Sequence, residues 1–249
     1  REKLAPVSAT LSFNEERELG YAMALEMIAR HGLVENEPLM GYLDRVASAL
    51  AAHSDRPAMD VRVVVLRSEA HTAFGLPGGL VLVPLGALRA CESESELAGL
   101  LAQAVAQCEL RLMQARLERY ASEKHAEAKE KPFTQLPQEL FSQVLADFTL
   151  DLERAGLPPD DQRAADRRAT DLLLRLGYEP GGLKAHLARV QLKLREQAGG
   201  GPLENYARLK AREESLDARL AELHAPSLGR GIADRFRREC HVNLPAPKL

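Results

Sequence analysis

The sequence predicts an α+β fold, predominantly helical, with one small β-sheet. Apolar residues recur at helical spacing along most of the 249 positions. A single strongly β-branched run, Val61 to Leu66 (VRVVVL), stands between helical stretches, and two shorter apolar runs follow it around the turn signal Pro77-Gly78-Gly79. Aromatic residues make up only 4% of the chain and Trp is absent, so the core must be built from Leu, Ala and Val.

Taken in order, Ser12 to Arg30 reads as the first helix. Asn14 is a candidate cap, and Glu15 and Glu16 sit in the first turn, where they favour the helix dipole. Leu19, Met23 and Met27 give it an apolar side. Pro38 to Ala52 is the second helix, with Leu39, Tyr42, Leu43, Val46 and Leu50 at helical spacing. Val61 to Leu66 is a strand. Ala73 to Leu76 and Leu80 to Val83 are short strands, the second ended by Pro84 and Gly86.

Ser93 to Glu109 is the stretch around which the chain is organised. Ser93 and Glu96 form an S-x-x-E capping box, and no charged residue occurs from Leu97 to Cys108. A helix apolar on every side is buried on every side. Its only polar side chains, Gln103 and Gln107, are four apart and share one face. A buried amide must be hydrogen-bonded, so a polar partner is expected opposite them.

After it, Arg111 to Lys131 is highly charged and reads as an exposed helix extension or a lid. Leu140 to Leu157 is amphipathic and stops at Gly156 and Pro158-Pro159. Asp160 or Asp161 then caps a helix that runs to Leu176 and ends at Gly177. Gly199 to Pro202 is a flexible break before a long amphipathic helix, Leu203 to Leu223. Asn243 to Leu249 is a Pro-rich, frayed tail. The whole reads as a single domain, 1–249, with 111–159 as a variable helical or lid segment.

Charged residues at 28% and hydrophobic residues at 45% suit a chain with a sizeable core, and a net charge of −3 gives no electrostatic reason to expect nucleic acid. No run approaches the roughly 18 consecutive apolar residues of a membrane span, so membrane association would need a segment outside this sequence. The sequence begins at Arg1 rather than at Met, so a targeting segment before it is neither implied nor excluded. Cys91, Cys108 and Cys240 have no metal-like spacing; one disulfide plus a free thiol and three thiols are both open. No G-x-S-x-G, phosphate-binding loop or dinucleotide fingerprint occurs.

Thr72-Ala73-Phe74-Gly75-Leu76-Pro77-Gly78-Gly79, the run Leu80 to Gly86, Glu96-Leu97-Ala98 and the frame Gln103-Ala104-Val105-Ala106-Gln107 together resemble a known pattern. They are similar to the N-A-F-A-L-P-G-G, strand, E-L-A and H-E-x-x-H run of zinc metallopeptidases of the HtpX and CAAX-prenyl-protease type, gluzincins, in the branch of the envelope peptidases BepA and LoiP. Glu16, Gly20, Tyr42 and Val46 match the N-terminal pattern. Gly177-Tyr178-Glu179-Pro180 matches a later one, which places Asp166 at the aspartate of E-x-x-x-D and Gln162 at the third ligand. His224 and Arg230 stand near the family's last motif, each with one inserted residue. By pattern the resemblance covers 11–232.

The resemblance implies a gluzincin-like, predominantly helical domain. It also implies that Thr72, Ala73, Phe74, Gly75 and Leu76 form an edge strand that pairs with extended peptide. Zinc in such a site needs imidazole and carboxylate donors. Here every ligand position is an amide, Gln103, Gln107 or Gln162, and Ala104 replaces the general base. The expectation is therefore a catalytically inactive, metal-free pseudopeptidase. Its glutamines would bond one another with Asp166 and His224, and it would bind a protein or extended peptide by β-augmentation in the bacterial envelope, in the periplasm. Two alternatives stay open. One is an active zinc metalloendopeptidase with substitute ligands such as His71, His186 or His224. The other is a purely structural domain whose groove is filled by Arg111 to Pro159.

Overall fold

A computed structural model describes residues 11–125, 135–197, 206–223 and 233–245. The first helix, α1, spans Phe13–His31. Its cap is Ser12, not Asn14. The Ser12 hydroxyl accepts from the Glu15 N–H at 3.3 Å, and the Glu15 carboxylate accepts from the Ser12 N–H at 2.8 Å. Ser12 has the extended backbone that a cap requires and has a Glu three residues on, whereas Asn14 already lies within the first turn. Helix α2, Glu37–Ala52, is capped by Asn36, whose side chain accepts from the Leu39 N–H at 3.0 Å.

Strands β1 (Arg62–Leu66), β2 (Phe74–Gly75) and β3 (Leu80–Pro84) form a mixed sheet in the order β1-β3-β2. β3 is central, parallel to β1 with Val63 opposite Val81 and antiparallel to β2 with Phe74 opposite Leu82. Every β3 residue is buried, which is why LVLVP runs apolar without alternation. Pro84 is the last strand residue, and α3 (Leu85–Arg89) follows at once. Gly78 turns the β2–β3 connection with φ 73°, and a Cβ there would come within 2.5 Å of the Arg17 main chain.

The remaining helices are α4 (Glu94–Glu109), α5 (Leu112–Lys124), α6 (Gln138–Ala155), α7 (Pro159–Leu176), α8 (Gly182–Gln197), α9 (Tyr206–Glu222) and α10 (Ala233–Glu239). All residues of α4 are buried, against α2, α7, α8, β2 and β3. Its capping box is only half made. Ser93 accepts from the Glu96 N–H at 3.2 Å, but the Glu96 carboxylate turns to the Glu92 N–H at 3.0 Å and to Arg189 Nε at 2.9 Å.

Both ends of this buried helix carry acids, and both are neutralised. Glu94, fully buried, accepts from the hydroxyls of Tyr42 and Tyr178 at 2.7 Å each and from the Arg235 guanidinium. Glu109 takes a two-pronged contact from Arg168, with Nη2 at 2.6 Å. A buried carboxylate left unpaired would cost several kcal/mol, so these contacts are a condition of burying α4.

Arg111, at φ 53°, breaks the chain between α4 and α5, so the charged stretch is a separate helix rather than an extension of α4. α5 and α6 pack on the sheet, where Leu117, Val144, Phe148 and Leu152 share an apolar cluster with Phe74 and Leu82. α7 has no side-chain cap. Asp160 and Asp161 lie inside its first turn, because Pro158 occupies the cap position and Pro159 starts the helix. Gly177 ends it in the left-handed region at φ 72°.

All three cysteines are buried free thiols. The Gly199 to Pro202 break lies outside the described residues. Part of the tail is tied down, since the Asn243 carbonyl accepts from Asn36 at 2.9 Å and the Pro245 carbonyl from Arg89 at 2.8 Å. Among the described residues, no helix is long and apolar enough to cross a membrane.

Candidate functional site

The chain from Leu66 to Phe74, the junction of α6 and α7, and helices α8 and α9 enclose a cleft of about 380 Å3. Its walls mix apolar side chains, among them Leu66, Phe74 and Leu209, with His71, Thr72, Gln162 and Arg212. A smaller cavity of about 20 Å3 shares His71, Thr72, Leu209 and Arg212 with the cleft and adds Gln103 and His186. That volume suits one water-sized group with polar neighbours. At the outer rim, Glu153 on α6 accepts from Arg30 Nε at 3.1 Å and meets His31 Nε2 at 2.8 Å, which ties α6 to α1.

The glutamines do not form one cluster. Gln103 lines the inner cavity and Gln162 the outer cleft, two spaces that share Arg212. Gln107 lines a different, narrow space with Glu16 and Arg111, and its Oε1 accepts from the Gly75 N–H at 2.9 Å. Among the described residues no hydrogen bond links the three. The partner that the Gln107 carbonyl requires is thus the backbone of β2 rather than another glutamine. The Gln107 amide nitrogen is buried and has no protein partner.

Asp166 stands behind the wall and holds Arg212, which lines both spaces. It is 1% exposed, and both of its oxygens are taken by Arg212, Nε to Oδ2 at 2.8 Å and Nη2 to Oδ1 at 2.8 Å. A fork-to-fork pair of this kind fixes the plane and position of both groups. Arg212 is itself only 8% exposed and comes from α9, so it crosses from one helix to another to reach the carboxylate. Ala104, which the resemblance sets at the place of a general base, is fully buried and carries no proton-accepting group. His224 and Arg230 lie outside the described residues.

His186 on α8 is 1% exposed. Its Nδ1 lies 3.3 Å from Cys91 Sγ, and its Nε2 is buried without a hydrogen-bond partner. Burial, then the Arg212 charge, pushes its pKa down to about 3. The ring is therefore neutral in the native state. The unfolded chain takes up a proton near pH 6.5 and the folded chain does not. The stabilisation is thus complete above pH 6.5 and is lost as pH falls from 6.5 towards 3. The expected outcome is a stability loss of up to about 1.4 kcal/mol per pH unit in that window. Urea unfolding at pH 7, 5.5 and 4.5 measures it, with His186→Phe expected to show a shallower decline. An unchanged slope in that variant would remove His186 as the source.

The strand read as an accessible edge is covered. β2 pairs with β3 alone, so it is an edge by topology, but Ala73, Phe74 and Leu76 are at most 5% exposed. The Gly75 N–H is taken by Gln107, and the Leu76 N–H bonds the Leu80 carbonyl at 2.7 Å. α4 lies against this edge, and α6 side chains cover Phe74, a standard way of blunting an exposed strand. Only Thr72, with His71 before it, remains partly open, and both face the cleft.

The donor set does not suit zinc. Gln107 spends its carbonyl on Gly75, Asp166 spends both oxygens on Arg212, and that fixed guanidinium lines both the Gln103 cavity and the Gln162 cleft. A cation beside a dication site is repulsive, and neutral amides offer no charge to offset metal desolvation. Among the described residues, no group of three His, Cys, Asp or Glu side chains is placed to hold a metal, His71 and His186 included.

Sequence reasoning missed Arg212 altogether. The one signal for it was Asp166 itself, since an acid on the apolar face of α7 needs a cation. The missing information was which of several cations in Ala207 to Arg219 would supply it. No protein-family model matches the chain. No curated protein matches it.

Proposed function

We propose that this chain is a catalytically inactive, metallopeptidase-like domain that works by binding a protein or extended peptide in the Arg212 cleft. The observation that carries the reading is Arg212 at the cleft wall, held from behind by Asp166, where the resemblance to gluzincins would put zinc chemistry. A cleft of about 380 Å3 with apolar walls and a few convergent polar groups is of ligand-binding size and character. Binding would engage Thr72 and the walls around it. Pairing along Ala73 to Leu76 is not part of the proposal, because that stretch is covered. The gluzincin kinship, and a place in the bacterial envelope, rest on the sequence resemblance and belong to the proposal.

The purified protein is expected to hold no stoichiometric zinc and to leave unfolded casein intact, with or without chelator, while binding fluorescent casein saturably. Thr72→Trp, which narrows the cleft, should weaken that binding at least tenfold. Elemental analysis, a gel assay and fluorescence anisotropy are the measurements. One zinc per chain with chelator-sensitive cleavage would overturn the inactive reading, and the active-peptidase alternative would replace it.

A second reading is favoured by one observation. Phe148 and Leu152 of α6 pack in the cluster that holds Phe74, so part of the groove is filled by the 111–159 segment itself. If casein does not bind at all, the domain is structural.

A further inference from the structure

We infer that the cleft recognises the free C-terminal carboxylate of an apolar peptide, with Arg212 as the receptor and the Gln103–His186 cavity taking one carboxylate oxygen. This rests on the proposed binding role and names the ligand for it. Arg212 has five N–H donors, and Asp166 uses one on Nε and one on Nη2. Three donors are left, on a side chain that lines both the outer cleft and the inner cavity. Asp166 holds the guanidinium plane in place before any ligand arrives, so little ordering is lost on binding.

The inner cavity is a second, independent observation. Its volume of about 20 Å3 accommodates one oxygen-sized group, and it is lined by the Gln103 amide and by His186, whose Nε2 is buried and unpartnered. The Gln103 side chain, 3% exposed and without a hydrogen bond among the described residues, offers an amide N–H to an incoming oxygen. The neutral ring adds no competing charge.

The outer cleft supplies the rest of the specificity. Its walls at Leu66, Phe74, Leu194 and Leu209 suit apolar side chains. Arg154, exposed at the rim and without an ion-pair partner among the described residues, adds a second positive charge. The Glu153 charge beside it is already held by Arg30 and His31. An occupant with apolar side chains and a terminal negative charge complements this lining; a cationic one does not.

The test uses fluorescence anisotropy with the full chain and three fluorescein-labelled hexapeptides. All share a leucine- and valine-rich sequence. One ends in a free carboxylate, one in an amide, and one in a glutamate whose own terminus is amidated. The free-carboxylate peptide should bind at least tenfold more tightly than the amide, the margin expected for hydrogen bonds to a charged group. The double variant Asp166→Asn/Arg212→Gln avoids a buried unpaired charge and should bring that ratio close to one while circular dichroism stays native. Gln103→Met should lower the ratio severalfold.

Equal binding of acid and amide would overturn the carboxylate inference and leave the peptide-binding role standing. Recovery of tight binding by the glutamate-ending amide would replace the terminus with an acidic side chain as ligand. A double variant that keeps the tenfold ratio would dismiss Arg212 as the receptor. If none of the three peptides binds while casein does, the inference fails alone; if casein also fails, both fall.

Discussion

Arg212→Ala is expected to lower the unfolding free energy by about 3–5 kcal/mol, the cost of leaving a buried charge without its partner. Asp166 is 1% exposed and its oxygens are both bonded to this one guanidinium. Thr170 and the rest of α7 offer it only their own helix contacts, with the Thr170 hydroxyl bonding the Asp166 main-chain carbonyl at 3.0 Å rather than the carboxylate. Removing the cation therefore strands a carboxylate at the wall between α7 and α9. Adding Asp166→Asn to the same variant should restore a substantial part of the loss, because an amide tolerates burial better than an unpaired charge. Urea denaturation of the parent, the single variant and the double variant measures both effects. A single variant within 1 kcal/mol of the parent would show that the pair does not organise this wall.

Gly75→Ala is expected to cost about 3 kcal/mol, at the upper end of the range for overpacking. A Cβ on Gly75 would stand 1.8 Å from the Ala104 carbonyl oxygen and 2.9 Å from Cys108 Sγ. The nearest obstacle is backbone of a fully buried helix, so no side-chain rotation relieves it. β2 and α4 would have to separate, and the bond from the Gly75 N–H to Gln107 would be lost with them. Gly41→Ala in α2 is the internal control. Its added methyl would meet only Arg45 Nη1, at 3.5 Å, and helix propensity should make it neutral or stabilising by up to about 1 kcal/mol. Thermal melts of the two variants side by side give the comparison. A Gly75→Ala protein that melts with the parent would mean that β2 and α4 are not in the close contact described.

Tyr42 and Tyr178 show how far sequence pattern and structure meet. Both were singled out by resemblance, and both donate to the one buried acid, Glu94, although 84 residues separate Tyr178 from it. Burial, with the Glu94 contact second, raises the pKa of each phenol. What the pattern marked there is a structural joint between α2, α4 and the α7–α8 connection.

The sequence alone determined the helical character of the chain, the position of β1 and β3, the turn at Pro77 to Gly79, the stop at Gly177 and the complete burial of α4. Each of these depends on interactions within a turn or two, or on a periodicity that any folded environment must respect. It also singled out Gln103, Gln107 and Gln162, through a resemblance to a peptidase motif. Tertiary structure alone decided what those amides do. Gln107 bonds Gly75, 32 residues away, and so closes the strand edge that looked available. Arg212 reaches Asp166 across 46 residues, and nothing in Lys210-Ala211-Arg212-Glu213-Glu214 distinguishes it from the cations of a solvated helix face. Charge in a sequence is a property of the residue. Burial, and with it the need for a partner, is a property of how the helices pack, and only the packed chain shows which arginine meets that need.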